Sequence, residues 1–145
     1  MRGYDLYGHG ESGGPRGGLP DDNRLLNDLA DIVESTRKRL PKGCPLILLG
    51  HSLGSFFSQA FVFDHGASID GLVLSGTAAF GDRKGPAKRL DEIETEGVKP
   101  RTPYDWLSRD DAEVDAYIAD PLCGFSRQNN GMDSFARVTA RRSEE

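Results

Sequence analysis

Pro45-Leu46-Ile47-Leu48-Leu49-Gly50-His51-Ser52-Leu53-Gly54 is the stretch whose reading decides the fold. Its first half is a short continuous apolar run bounded by proline and glycine, which predicts a buried parallel strand. Beyond it Leu53, Phe56, Phe57, Ala60, Phe61, Val62 and Phe63 make the 53–65 segment apolar almost all round. That pattern predicts a buried helix, with Gly66 as its natural C′ stop. Ile69-Asp70-Gly71-Leu72-Val73-Leu74-Ser75 then predicts a second buried strand. Strand, helix and strand in so short a span make one βαβ unit, which crosses over right-handed.

Between the first strand and the helix stands Gly50-His51-Ser52-Leu53-Gly54, the pattern Gly-x-Ser-x-Gly. A serine hydroxyl is a poor nucleophile at neutral pH and must be both presented and deprotonated. A sharp, strained strand-to-helix turn, the nucleophile elbow, does the presenting. Gly50 and Gly54 are expected to flank Ser52 because side chains there would clash as strand and helix close together. The backbone N–H of Leu53, at the head of the helix, is expected to donate to a developing oxyanion, typically worth about 3 kcal/mol in the transition state. The bland alternative is an ordinary glycine-rich turn of a nucleotide-binding fold. A dinucleotide fingerprint needs a third glycine in Gly-x-Gly-x-x-Gly spacing, and a phosphate-binding loop needs lysine after its last glycine. This sequence has neither.

Working outward, residues 8–20 are rich in glycine and proline and read as a loop. Asp21 or Asp22 can then cap a helix in which Leu25, Leu26, Leu29, Ile32 and Val33 recur at helical spacing, ending near Leu40 before Pro41 and Gly43. Residues 81–101 are rich in Lys, Arg, Asp and Glu, with little to bury. A helical pattern returns over 104–118 around Trp106, Leu107, Val114, Tyr117 and Ile118, and Asp120-Pro121 ends it. The tail from Ser126 to Glu145 is polar and expected to be disordered.

The 145 residues fit one domain. Charged residues make up 28% and hydrophobic ones 37%, and the mean hydropathy is −0.51, a soluble composition lean in core formers. The net charge of −5, with no long basic run, argues against nucleic acid as a partner. Two cysteines, Cys44 and Cys123, are too few for a disulfide framework and read as free thiols in a reducing, cytoplasmic setting. The start lacks the apolar core of a signal peptide. No run approaches the roughly 20 apolar residues of a membrane span, so no integral membrane segment is expected. Nothing clusters as metal ligands.

Asp5-Leu6-Tyr7-Gly8-His9-Gly10-Glu11-Ser12 resembles the Asp-x-x-Gly-His-Gly-x-Ser loop of α/β-hydrolases of the monoacylglycerol lipase and lysophospholipase group, also called serine aminopeptidase-like. It precedes Gly-His-Ser-x-Gly at that group's spacing. Tyr104-Asp105-Trp106-Leu107-Ser108-Arg109-Asp110 and Asp120-Pro121-Leu122-Cys123-Gly124-Phe125 look like cap segments of its bacterial members. The resemblance implies an α/β class protein: a partial α/β-hydrolase sheet of about three parallel strands with flanking helices over 1–80, part of a helical cap over 81–125, and the tail over 126–145. It implies hydrolysis of a small ester or lysolipid through an acyl-Ser52 intermediate, with Leu53 giving one oxyanion N–H and with no metal or cofactor. Gly8, His9 and Gly10 are expected to be structural. Tyr104, Trp106, Tyr117 and Phe125 either line an acyl pocket or pack a small cap on itself.

The triad is where this sequence departs from the group. In this fold the acid and then the histidine follow the serine. His65 is the only histidine after Ser52, near the far end of the predicted helix; His51 is expected to point away from the hydroxyl, and His9 belongs to its loop. Asp82 follows a strand, but the group's pattern does not put the acid there. The expectation is therefore a central fragment of a hydrolase, weakly active or inactive as this chain. The other reading is a non-catalytic remnant or a binding fragment. Uncovered sheet edges are expected to promote self-association.

Overall fold

A computed structural model describes residues 1–20, 23–77 and 100–125. They fall into two units, one within residues 1–77 and one within 100–125. The charged 81–99 stretch with Asp82, the tail from Ser126, and the expected caps Asp21 and Asp22 lie outside the described residues.

In the first unit, helix α1 (Arg24–Arg37) forms where the apolar spacing places it. Leu25, Leu26, Leu29 and Val33 are buried along one stripe. The helix begins after Asn23, whose side chain makes no capping bond, and ends three residues before Leu40. Strand β1 (Ile47–His51) leads into helix α2 (Leu53–His65), and strand β2 (Gly71–Ser75) returns parallel to β1. The register runs from Ile47 opposite Gly71 to His51 opposite Ser75. The described residues thus hold a sheet of two strands rather than the expected three or so. The segment before the glycine loop joins no ladder; instead the Asp5 carboxylate accepts the Glu11 N–H at 3.0 Å and its carbonyl accepts the Ser12 hydroxyl at 2.7 Å.

α1 and α2 supply one core, in which Leu25, Leu26, Leu29, Val33, Phe57, Ala60 and Phe61 are buried together. Leu46 and Leu48 pack on it from the strand side, with Leu6, Tyr7 and Leu19 from the loop. Burying each large apolar side chain is worth about 1.5–3 kcal/mol before entropy is set against it. On the opposite face of the sheet Ile47, Leu49 and Val73 are 50%, 64% and 46% exposed. Alternation along a strand sends neighbouring residues to opposite faces, so among the described residues a run that is apolar on both faces covers only one of them.

Gly66 ends α2 where expected, as its C-terminal cap, and does so in right-handed geometry. Its φ is −54°, and the chain continues through one 3-10 turn, Gly66–Ser68, closed by the Ser68 hydroxyl donating to the His65 carbonyl at 2.6 Å.

In the second unit, the single helix expected over 104–118 is a turn followed by helix α3 (Asp111–Ala119). Asp110 explains the break: its carboxylate accepts the Ala112 N–H at 3.0 Å, starting a new helix there. α3 ends at Asp120, held extended ahead of Pro121. Val114 is its buried residue, the Tyr104 and Tyr117 rings lie 5.3 Å apart, and the Tyr104 hydroxyl donates to the Gly124 carbonyl at 2.8 Å. No helix among the described residues is long and apolar enough to cross a membrane.

Candidate active site

Ser52 stands where β1 hands over to α2, with φ +48° and ψ −120°. It is the one non-glycine residue with positive φ among those described. Such a conformation costs about 1–3 kcal/mol and persists only where the surroundings over-determine it. The side chain is exposed at the carboxyl end of the sheet, the end where open α/β sheets bind ligands.

The turn is held tightly from below. A Cβ built on Gly50 would lie 2.5 Å from the Ser58 hydroxyl, 2.6 Å from the Gly54 carbonyl oxygen and 2.8 Å from the Ser55 Cα. Only glycine lets strand and helix approach so closely. At Gly54 an added Cβ meets nothing within 4 Å, so the crowding expected at both flanking glycines is found at Gly50 and not at Gly54. Ser55 and Ser58 are buried, and their hydroxyls donate to the Ser52 carbonyl at 2.6 Å and the Gly54 carbonyl at 2.8 Å. Sequence reasoning passed over both. Their signal is faint: small hydroxyl residues at helical spacing on the α2 face toward Gly50.

Leu53 opens α2, so its N–H belongs to the first turn, whose amides lack intrahelical acceptors. An anion at that end is also favoured by the helix dipole. The arrangement can thus present a nucleophile and receive a developing negative charge beside it.

The three histidines have other engagements. His51 Nδ1 lies 3.1 Å from the Ser75 hydroxyl. His65 stacks on Phe61 with ring centroids 4.9 Å apart, at the last residue of the 13-residue α2, roughly 20 Å of helix rise from Ser52. His9 Nδ1 lies 2.9 Å from the Tyr7 carbonyl oxygen. Among the described residues no hydrogen bond joins a histidine ring to the Ser52 hydroxyl. Of the two free cysteines, Cys123 has its thiol pushed up by desolvation and by the charge of Asp120, which suppresses the thiolate. Among the described residues no group of three or more His, Cys, Asp or Glu is placed to hold a metal ion. A cavity of about 400 Å³ beside Arg37, Leu40, Cys44, Pro45 and Asp70 sits at the amino end of β1, a strand's length from Ser52, and is not part of this arrangement.

A parallel strand–helix–strand unit with a positive-φ serine at its turn is the arrangement of an α/β-hydrolase nucleophile elbow. The chain belongs to the serine aminopeptidase S33 family, whose model matches residues 1–144, within the monoacylglycerol lipase-like α/β-hydrolases. It is 35% identical over 128 residues to the monoacylglycerol lipase of Mycolicibacterium smegmatis, covering 81% of this chain and 44% of that protein. It is 32% identical over 126 residues to the human monoglyceride lipase and 29% identical over 126 residues to the Mus musculus one, in each case covering 82% of this chain and 41% of the relative. The chain thus spans less than half the length of the curated relatives it matches.

Proposed function

We propose that Ser52 is the nucleophile of a carboxylic ester hydrolase of the lysophospholipase and monoacylglycerol lipase type. The observation that carries this reading is the positive φ of Ser52 at the head of α2: strain of that kind at an exposed serine has no packing purpose. In the reaction, Ser52 Oγ attacks the ester carbonyl carbon and its proton passes to a base. The oxyanion forms beside the Leu53 N–H, and collapse expels the alcohol, leaving acyl-Ser52. Water then attacks the acyl carbonyl and releases the carboxylic acid. The substrate is a small ester or lysolipid, as the names of the lipase relatives suggest. In this reading residues 1–80 are a partial hydrolase core, 81–125 part of a cap and 126–145 a tail. The free thiols of Cys44 and Cys123 fit a cytoplasmic setting.

A second reading, a fragment with little or no catalysis by itself, is favoured by the engagements of the histidines. Losing members of a serine triad can cost about 10⁶ in rate. Both readings meet in one experiment. The chain and Ser52→Ala are treated with a fluorophosphonate and with p-nitrophenyl esters, with and without added imidazole as an external base. The expected result is slow turnover without imidazole, and an adduct mapped by mass spectrometry to Ser52 that forms faster with it. Adducts only at other residues overturn the nucleophile. Robust Ser52-dependent turnover without imidazole overturns the inactive-fragment reading.

A further inference from the structure

The structure assigns a positioning role to the turn that follows β2: we infer that Ser75, Gly76 and Thr77 clamp the elbow and hold Ser52 in its strained geometry. This rests on reading Ser52 as the nucleophile. Three consecutive residues each engage a different side of the elbow. The Ser75 carbonyl accepts the Ser52 N–H at 2.9 Å, and the Ser75 hydroxyl meets His51 Nδ1 at 3.1 Å. Gly76, at φ +58°, brings its backbone beneath both: a Cβ there would lie 3.2 Å from His51 Cε1 and 3.8 Å from the Ser52 nitrogen. Thr77 Oγ1 accepts from Gln59 Nε2 at 2.8 Å, reaching the second turn of α2.

The clamp therefore grips the residue before the serine, the serine itself and the helix after it. His51 and Ser75 are the last register pair of the ladder. Beyond them Ser52 leaves strand geometry, and nothing in a regular ladder would keep its φ positive. A hydrogen bond between the two exposed side chains fixes the His51 ring across the strand end, and Gly76 removes the side chain that would push it away. His51, the residue that stands beside the nucleophile without touching its hydroxyl, acquires a purpose as a positioning residue acting through the backbone of Ser52.

The test compares Ser75→Ala, Ser75→Thr and Thr77→Val in the intact chain. The first readouts are the ring-nitrogen NMR shifts of His51 and the hydrogen exchange of the Ser52 amide. The second is the rate of fluorophosphonate modification at Ser52 in the presence of imidazole. Ser75→Ala is expected to change the His51 ring shifts, speed Ser52 amide exchange about tenfold, and slow modification by a similar factor, the size of one lost hydrogen bond. Ser75→Thr, which keeps the hydroxyl, restores all three. Thr77→Val moves exchange and modification the same way by less, and decides the matter if Ser75→Ala does not fold. A folded Ser75→Ala with unchanged ring shifts and unchanged Ser52 exchange overturns the clamp. If wild-type Ser52 takes no adduct at all, the nucleophile reading fails, while the NMR readouts still decide the clamp.

Discussion

Arg37 and Asp70, at the end of α1 and the threshold of β2, are joined by an ion pair of 2.7 Å. The same Asp70 oxygen accepts the Leu46 N–H at 2.6 Å, while Arg37 also donates to the carbonyls of Cys44 at 3.2 Å and Ser68 at 3.1 Å. Two side chains thus tie together the ends of α1, β1 and β2. The Leu46 N–H first, and then Arg37, hold the Asp70 carboxyl below its ordinary range. A folded-state value below the unfolded one means that the stabilisation is fully present above the unfolded value, about 3.9, and fades as pH falls through the lowered folded value. Asp70→Asn should lower Tm by a few degrees at neutral pH, and the two melting curves should converge as the pH drops below about 4. Thermal melts followed by circular dichroism across that range check it; a constant gap at all pH values would contradict it.

Gly50 and Gly54 should part company under mutation. A methyl group at position 50 meets the Gly54 carbonyl at 2.6 Å and the Ser55 Cα at 2.8 Å, both backbone atoms. Gly50→Ala should cost about 1–3 kcal/mol or more, and Ser58→Ala should not rescue it, because trimming Ser58 leaves the backbone contacts. Gly54→Ala places a methyl in open space within the first turn of α2. It should be neutral or stabilising by up to about 1 kcal/mol. Urea denaturation of the three variants measures all of this.

The exposed apolar residues of the sheet should make the chain sticky. Ile47, Leu49 and Val73 offer apolar surface on two parallel strands, and the two-stranded sheet of the described residues has both strands at an edge. Sedimentation velocity should show association that grows between micromolar and near-millimolar concentration. Leu49→Lys should reduce it while leaving the circular dichroism spectrum unchanged, since Leu49 does not contribute to the core. A monomer at every concentration would rule the expectation out.

Much of this was legible in the residues. α2 runs over 53–65 as read, because a run of aromatics after a glycine-flanked turn has few other options. β1 and β2 lie within two residues of their expected starts, marked by Pro45 and by Asp70-Gly71. The tight strand-to-helix turn was readable because Gly50 must be small for a steric reason local to the turn. What escaped was set by tertiary pairing. The His51–Ser75 contact spans 24 residues and depends on strand register, which no local pattern encodes. Gly66 ends α2 as read, but the 3-10 turn that the Ser68 side chain closes just beyond it had no local signal. Asp110 split the expected 104–118 helix because a good cap competes with a continuous apolar pattern. If Ser52 is the nucleophile we propose, its acid and histidine would belong to other strands in this fold, and local sequence around the serine holds no information about them.

Ser52 should be thermodynamically the wrong residue for its place. At φ +48° a Cβ is penalised, so Ser52→Gly should raise stability by about 1–2 kcal/mol, whereas Ser52→Ala, which keeps the Cβ, should not. Paired denaturation curves measure the difference, and equal stabilities would show that the turn is relaxed. Chains of this kind selected for folding alone would drift toward glycine at position 52. Those selected for ester hydrolysis would keep serine and accept the lower stability. Which residue fills that position across a lineage of such chains would therefore report selection for the reaction separately from selection for the fold.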